Sequence, residues 1–270
     1  MAEFMTLPEA VAATVADGQT VALEGFTHLI PFAAGHEIIR QGRTGLTLIR
    51  MTPDVIYDQM IGMGCASSLV FSWGGNPGVG ALHRMRDALA NGWPMPLGIV
   101  EHGHAAMAHA WAAGASGLPL AVFRGYLGSD VGLVNPSVKW IECPFTGERL
   151  AAVPAHRPDV GIVHAQRADR RSNVLFEGIV GVQKEVVLAS QVSVVTVEEV
   201  VDDLDAPSPN SVVVPGWAVD VIAVVPGGAR PSYAHGYYER DNTFYLAWDT
   251  ISRDREGFSA WMAEHVLGAQ

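Results

Sequence analysis

The stretch Met5–Ile49, MTLPEAVAATVADGQTVALEGFTHLIPFAAGHEIIRQGRTGLTLI, holds two helix-then-strand units and sets the pattern for the rest of the chain. Thr6 stands as an N-cap ahead of Pro8 and Glu9, which suit a first helical turn, so Pro8–Ala16 is expected to be helical. Asp17-Gly18 closes that helix, and Thr20–Leu23 is a short β run. Pro31–Gln41 reads as the next helix and Leu46–Met51 as the next strand. The alternation continues through helix Asp54–Met63, strand Ser68–Ser72, helix Gly78–Asn91, strand Leu97–Glu101, helix Gly103–Gly114 and strand Leu120–Phe123. Strands separated by helices of this length form βαβ units, because parallel neighbours need a crossover. The expected fold class is therefore α/β, an open and mostly parallel sheet with helices on both faces.

After this half the pattern loosens. Gly125–Glu148 reads as irregular, with turn residues at Gly128, Asn135-Pro136 and Thr146-Gly147. Arg149–Val153, Val160–His164, Val192–Val197 and Val219–Val225 are β-branched runs, and Asp254–Val266 has the pattern of an amphipathic helix. The acidic, proline-containing Asp202–Asn210 stretch reads as a surface loop and not as a linker, so residues 1–270 are expected to form a single domain.

Composition excludes several function classes. Hydrophobic residues make up 49% and charged residues 17%, with mean hydropathy +0.20. Soluble chains usually carry about 25% charged residues, so this one is either membrane-bound or covered by partners. No uncharged apolar run reaches the roughly 18–20 residues of a spanning helix, which leaves an obligate oligomer. The net charge of −11, with Lys139 and Lys184 the only lysines, argues against nucleic acid, whose binding depends on phosphate neutralisation. Cys65 and Cys143 are too few for a zinc site or a disulfide framework. The first residues do not read as a signal peptide, so the cytoplasm is the expected location, and Met5 is a second candidate start.

In such sheets ligands bind beyond the carboxyl ends of the strands. The first loop there is Leu23-Glu24-Gly25-Phe26-Thr27-His28. A glycine between strand and helix suits close approach to a ligand and free N–H groups for an oxyanion, and it equally suits an ordinary turn. Trp73-Gly74-Gly75-Asn76-Pro77-Gly78 reads more simply as a tight connection into a helix. Glu101-His102-Gly103-His104, with His109 beyond, suggests a metal at first sight. A third converging ligand is missing, and a spacing of five residues puts His104 and His109 on different helix faces. Glu101 is expected to cap the following helix, with a nucleophilic role the weaker alternative. Arg170 and Arg171 read as solvated charges at a turn. No Walker loop, dinucleotide fingerprint or nucleophile elbow is present.

Taken together, four stretches resemble the A (alpha) subunits of class I coenzyme A transferases of the glutaconate and 3-oxoadipate branch. They are Met5–Ile49, GLPLAVFRGYLGSD (Gly117–Asp130), PDVGIVHAQRADRRSNVLF (Pro158–Phe176) and VDVIAVVPGGARPSYAHGYYERDNTF (Val219–Phe244). The likeness spans nearly the whole chain and implies the NagB/RpiA type of α/β sheet. It also implies a two-subunit enzyme, heterotetrameric or larger and cytoplasmic, whose nucleophilic glutamate sits on the B (beta) subunit. Coenzyme A is then substrate and not resident cofactor, and the reaction moves it from a donor such as succinyl-CoA to 3-oxoadipate or glutaconate, in aromatic catabolism. Carried onto this chain, the oxyanion loop is Gly25, Phe26 and Thr27, and the substrate pocket is Asn76, His104 and Ser129. Glu101 becomes a supporting group behind the pocket. Two residues depart from the pattern: Glu24 and Ser172 stand where many members have glycine, and Glu24 is expected to stiffen the loop or alter acyl preference. Two alternatives remain, a ring-opening hydrolase of steroid-derived CoA thioesters and a non-catalytic scaffold subunit.

Overall fold

The computed structural model describes residues 1–76, 79–204 and 208–268. The first half contains β1 (Glu3–Phe4), α1 (Leu7–Thr14), β2 (Thr20–Glu24), α2 (Phe32–Arg40), β3 (Leu46–Ile49), α3 (Val55–Gly62) and β4 (Ala66–Phe71). It continues with α4 (His83–Asn91), β5 (Gly98–Glu101), α5 (His104–Ala115), β6 (Leu120–Phe123), α6 (Val131–Val134) and β7 (Lys139–Glu142). The second half comprises β8 (Arg149–Pro154), β9 (Val160–Asp169), β10 (Val174–Glu177), α7 (Gln183–Ala189), β11 (Val192–Val201) and β12 (Ser211–Val214). Last come β13 (Val221–Val224), α8 (Asn242–Ile251) and α9 (Arg255–Met262), which runs into a π turn at Ala263–Leu267.

The main sheet has the order β1-β13-β11-β9-β2-β3-β4-β5, and every pairing along this path is parallel. Its strands alternate between two cores. Val21, Leu23, Val160, Ile162 and Val194 face a cluster built from α1–α4, α8 and α9, with Phe32, Tyr57, Trp248 and Phe258 at its centre. Ala22, Val163, Ala165, Val195 and Val197 face the opposite cluster, which holds Trp111 of α5 and Val186 of α7. This period of two on strands covered on both sides is why they read as continuous β-branched runs. The sheet grows from β2 outward to β5 on one side and from β9 outward to β13 on the other. The topological switch point therefore lies between β2 and β9.

Three differences from the sequence reading have clear causes. Leu120–Phe123 and Arg149–Val153 leave the main sheet: β6, β8 and β7 form a separate antiparallel sheet. The reason is a hairpin, closed where Gly147 (φ +71°) donates its N–H to the Cys143 carbonyl, which converts part of the expected irregular segment into β7. A second hairpin folds β10 back on β9 through Ser172, whose φ of +69° is one that glycine adopts more easily. The Ser172 hydroxyl accepts the Ala2 N–H at 3.1 Å, and the neighbouring Glu3–Phe4 strand pairs with β13. The helix expected over Gly78–Asn91 begins at His83, and Pro77 and Gly78 lie outside the described residues, as does part of the Asp202–Asn210 loop. No helix among the described residues is long and apolar enough to cross a membrane.

Asp58 locks the helical layer on the first face. It is fully buried and accepts the Met85 N–H at 2.9 Å and the Trp248 indole N–H at 3.1 Å, joining α3 to α4 and α8. Burial pushes its pKa up to about 7. Asp58→Ala strands two buried donors, so urea denaturation should show a loss of about 2–4 kcal/mol with an unchanged m-value. A loss below about 1 kcal/mol would contradict this role.

Candidate functional site at the switch point

β2 ends at Glu24, and the chain turns at once through Gly25, Phe26 and Thr27. A Cβ on Gly25 would stand 2.7 Å from the Leu29 carbonyl oxygen and 2.8 Å from the Ile30 Cα, so the turn closes only around glycine. Thr27 (φ +57°) and Leu29 (φ +53°) both occupy the left-handed region, which costs about 1–3 kcal/mol for residues other than glycine. The strain is held by bonds from the opposite wall: the Ser232 hydroxyl donates to the Thr27 carbonyl and the Leu29 N–H to the Tyr233 carbonyl, both at 2.9 Å. Beside the turn lies a cleft of about 540 Å³ lined by Glu177, Gly178, Ile179, Tyr233 and His235 among others.

The three amides of the turn differ in availability. The Gly25 N–H is already donated to the Glu24 carboxyl at 3.1 Å. Among the described residues no acceptor pairs with the N–H of Phe26 or Thr27. Phe26 is 38% exposed, so this pair of adjacent donors sits at the surface of the switch-point crevice. Two free N–H groups at a strand end are the equipment for holding a developing oxyanion.

Beneath the turn Glu24, Arg50 and Asp54 form a buried triad, each no more than 1% exposed. Arg50 donates to Asp54 at 2.9 Å and to the Gly25 carbonyl at 2.6 Å, while its Nε stands 3.8 Å from Glu24. Glu24 also accepts the Met51 N–H at 3.3 Å. One buried cation balances one carboxylate, and Asp54 has the closer contact. Burial raises both carboxyls, Glu24 to about 7 against the pull of Arg50 and Asp54 against its closer contact with the same guanidinium. The peptide units before and after Gly25 are thus both anchored to the β3 side of the sheet.

The other residues singled out from the sequence lie along the same edge of the sheet. Asn76, beyond β4, is buried; its Nδ2 donates to the Tyr245 carbonyl at 2.7 Å, and its Oδ1 has no hydrogen-bond partner among the described residues. Glu101, His104 and Ser129 gather beyond β5, where Tyr126 accepts the Gly103 N–H at 2.6 Å and Asn135 donates to the Glu101 carbonyl at 2.6 Å. Glu101 does not cap α5: its side chain is exposed, and the Gly103 cap position makes no side-chain bond. β5 stands three strands from β2, roughly 14 Å at the usual spacing, so the two groups flank the crevice without touching. Arg170 and Arg171 are exposed and pair with Asp202 and Asp203. Among the described residues no three His, Cys, Asp or Glu side chains converge as metal ligands.

Sequence reading overlooked the residues that shape the cleft's far wall. His164 on β9 lies 2.7 Å from Glu198 on β11, which also accepts the Tyr238 hydroxyl at 2.6 Å and the Gly227 N–H at 2.7 Å. Burial works against the Glu198 carboxylate, but these bonds outweigh it and hold its pKa below the usual value. The network fastens the loop that carries Tyr233 and His235. The available signal was Thr196 and Glu198, polar residues on a β-branched run, the second of them one residue past the run's expected end at Val197.

Comparison with known proteins accords with this geometry. The family model described as "Coenzyme A transferase" matches residues 4–224. The chain is 64% identical to the A subunit of 3-oxoadipate CoA-transferase from Pseudomonas knackmussii, over 100% of this chain and 95% of that one. It is 32% identical to the A subunit of glutaconate CoA-transferase from Acidaminococcus fermentans, over 99% of this chain and 88% of that one. The crystal structure of the Acidaminococcus enzyme superposes with a TM-score of 0.93 at 30% identity, covering 100% of this chain and 90% of the other. A decarboxylase, AibA/AibB, has the same fold, with a TM-score of 0.84 at 29% identity and coverage of 97% and 98%. The chain belongs to the coenzyme A transferase family and is a CoA-transferase subunit.

The protonation of Glu24 has a measurable consequence. Between its usual value of 4.5 and about 7 the folded chain holds a proton that the unfolded chain has released. Its contribution to stability is therefore complete at low pH and is lost as pH rises through that window. Glu24→Gln should flatten the dependence of unfolding free energy on pH there, by up to about 1.4 kcal/mol per pH unit. Identical slopes for the native and variant proteins would place Glu24 ionised throughout.

Proposed function

We propose that this coenzyme A transferase chain works as the A subunit beside a separate B subunit, in a cytoplasmic heterotetramer or larger assembly serving aromatic catabolism. The reaction moves CoA from a donor acyl-CoA such as succinyl-CoA to a dicarboxylate or 3-oxoacid of the 3-oxoadipate or glutaconate type. The 64% identity to a 3-oxoadipate enzyme favours 3-oxoadipate as acceptor. The observation that carries the mechanism is the pair of N–H groups at Phe26 and Thr27 with no partner among the described residues, in a turn whose nearest carboxyl, Glu24, is buried and bonded to backbone.

A glutamate on the B subunit attacks the thioester carbonyl, and the resulting oxyanion is held by the Phe26 and Thr27 amides. Collapse expels CoA thiolate and leaves an acyl-glutamyl anhydride. The thiolate then attacks the glutamyl carbonyl, releasing the acyl group as a carboxylate and forming a glutamyl-CoA thioester. The acceptor acid repeats these two steps in reverse. Gly25 contributes the turn, through its lack of a side chain, in place of a free donor. Asn76, His104 and Ser129 line the acyl side, with Glu101 behind them, and no metal or resident cofactor takes part.

Hydrolysis is the less favoured reading. A catalytic carboxylate on this chain would need a partner to orient it, and Glu101 is exposed without one among the described residues. Assembled with its partner, the chain should convert succinyl-CoA and 3-oxoadipate to succinate and 3-oxoadipyl-CoA, whereas the chain alone should not. Glu101→Gln should keep kcat within about threefold. Release of free CoA without an acceptor, or loss of turnover in Glu101→Gln, would contradict this assignment.

A further inference from the structure

His28 is fully buried at the centre of the turn, between the two residues in the left-handed conformation. Its Nε2 lies 2.9 Å from the backbone N–H of His235, which can only donate, so Nε2 is the accepting nitrogen. The proton therefore resides on Nδ1, which donates to the Ile179 carbonyl at 2.9 Å. Ile179 and His235 belong to two separate segments that both line the cleft. The ring packs against Tyr233 with centroids 4.5 Å apart, and a Cβ on Gly178 would come within 3.2 Å of it. Both neighbouring segments are thus shaped around this one imidazole.

We propose that His28 is a positioning residue for CoA transfer: its neutral Nδ1–H tautomer ties the Phe26–Thr27 donors to the Ile179 and His235 segments of the neighbouring cleft at once. The inference rests on the reading of those two amides as oxyanion donors. A ring protonated on both nitrogens has no lone pair for the His235 N–H, so one of the two ties is lost and the strained turn is released on that side. The groups facing the ring are His164 from β9, His235 and Tyr233 from the far wall, and the Ile179 carbonyl. Burial first, and then the neighbouring His235 and His164, hold its pKa below the usual 6.5. The bridge stands while the ring is neutral and is lost as pH falls through the folded-state value, which lies below 6.5.

The test uses the assembled two-subunit enzyme. His28→Phe keeps the ring and loses both bonds. His28→Asn keeps a donor near Nδ1, and His28→Gln keeps an acceptor near Nε2. We expect His28→Phe to lower kcat about 10- to 100-fold, since a displacement of the order of 1 Å costs that much, with KM within about threefold of native. Asn and Gln should each restore part of the rate. Hydrogen exchange should quicken together at residues 26–29, 178–181 and 233–236, and the acid limb of the kcat profile below about pH 6.5 should vanish in the Gln and Phe variants. An assembled His28→Phe enzyme with kcat within about twofold of native overturns the proposal, as does faster exchange confined to one segment. Should His28→Phe fail to assemble, native kcat in both Asn and Gln overturns it equally. If the native enzyme transfers no CoA, the oxyanion reading falls, and the exchange pattern alone decides whether His28 is the bridge.

Discussion

The site depends on how closely the backbone closes on itself after β2. With the Leu29 carbonyl 2.7 Å and the Ile30 Cα 2.8 Å from where a Gly25 side chain would begin, no other residue permits the turn. That closeness goes with left-handed backbone at Thr27 and Leu29 and with Phe26 and Thr27 amides that have no partner among the described residues. Strain of this kind persists only where its surroundings over-determine it. Here they do so through three groups of contacts: the Arg50 triad, the Ile179 carbonyl and the Ser232–His235 segment.

The buried triad is costly as a source of stability, since ion pairs taken out of water return little net free energy. Its value is geometric. Arg50 holds the Gly25 carbonyl, and Glu24 holds the Gly25 N–H, so the peptide planes that aim the next two amides are anchored by the β3 layer. The sequence pattern expects glycine at position 24; the buried Glu24 carboxyl there accepts two backbone N–H bonds that glycine cannot.

Local signals revealed the fold where the chain makes βαβ units, because each strand's caps and turn residues lie beside it. Thr6 caps α1 and Asp54 caps α3 through side-chain bonds to nearby amides, and both features are visible in the sequence. β7, β10 and β12 were not legible, since each depends on pairing with a strand placed by the rest of the fold. The same division runs through the site. Gly25, Phe26 and Thr27 sit in a recognisable strand–helix loop, but His28, Arg50 and Glu198 gain their roles from partners up to 207 residues away. Glu101 shows the opposite failure: a glutamate before a helix suggests a cap, yet the backbone directs it into solvent.

The central claim is that this chain supplies oxyanion donors and its partner supplies the nucleophile. The most direct measurement is to incubate the assembled enzyme with acyl-CoA and no acceptor, reduce the trapped thioester with borohydride, and locate the modified residue by peptide mass spectrometry. The account predicts a single glutamate converted to its alcohol on the partner chain, with every peptide of this chain unchanged. Modification of Glu24, Glu101 or any other carboxylate of this chain would contradict it.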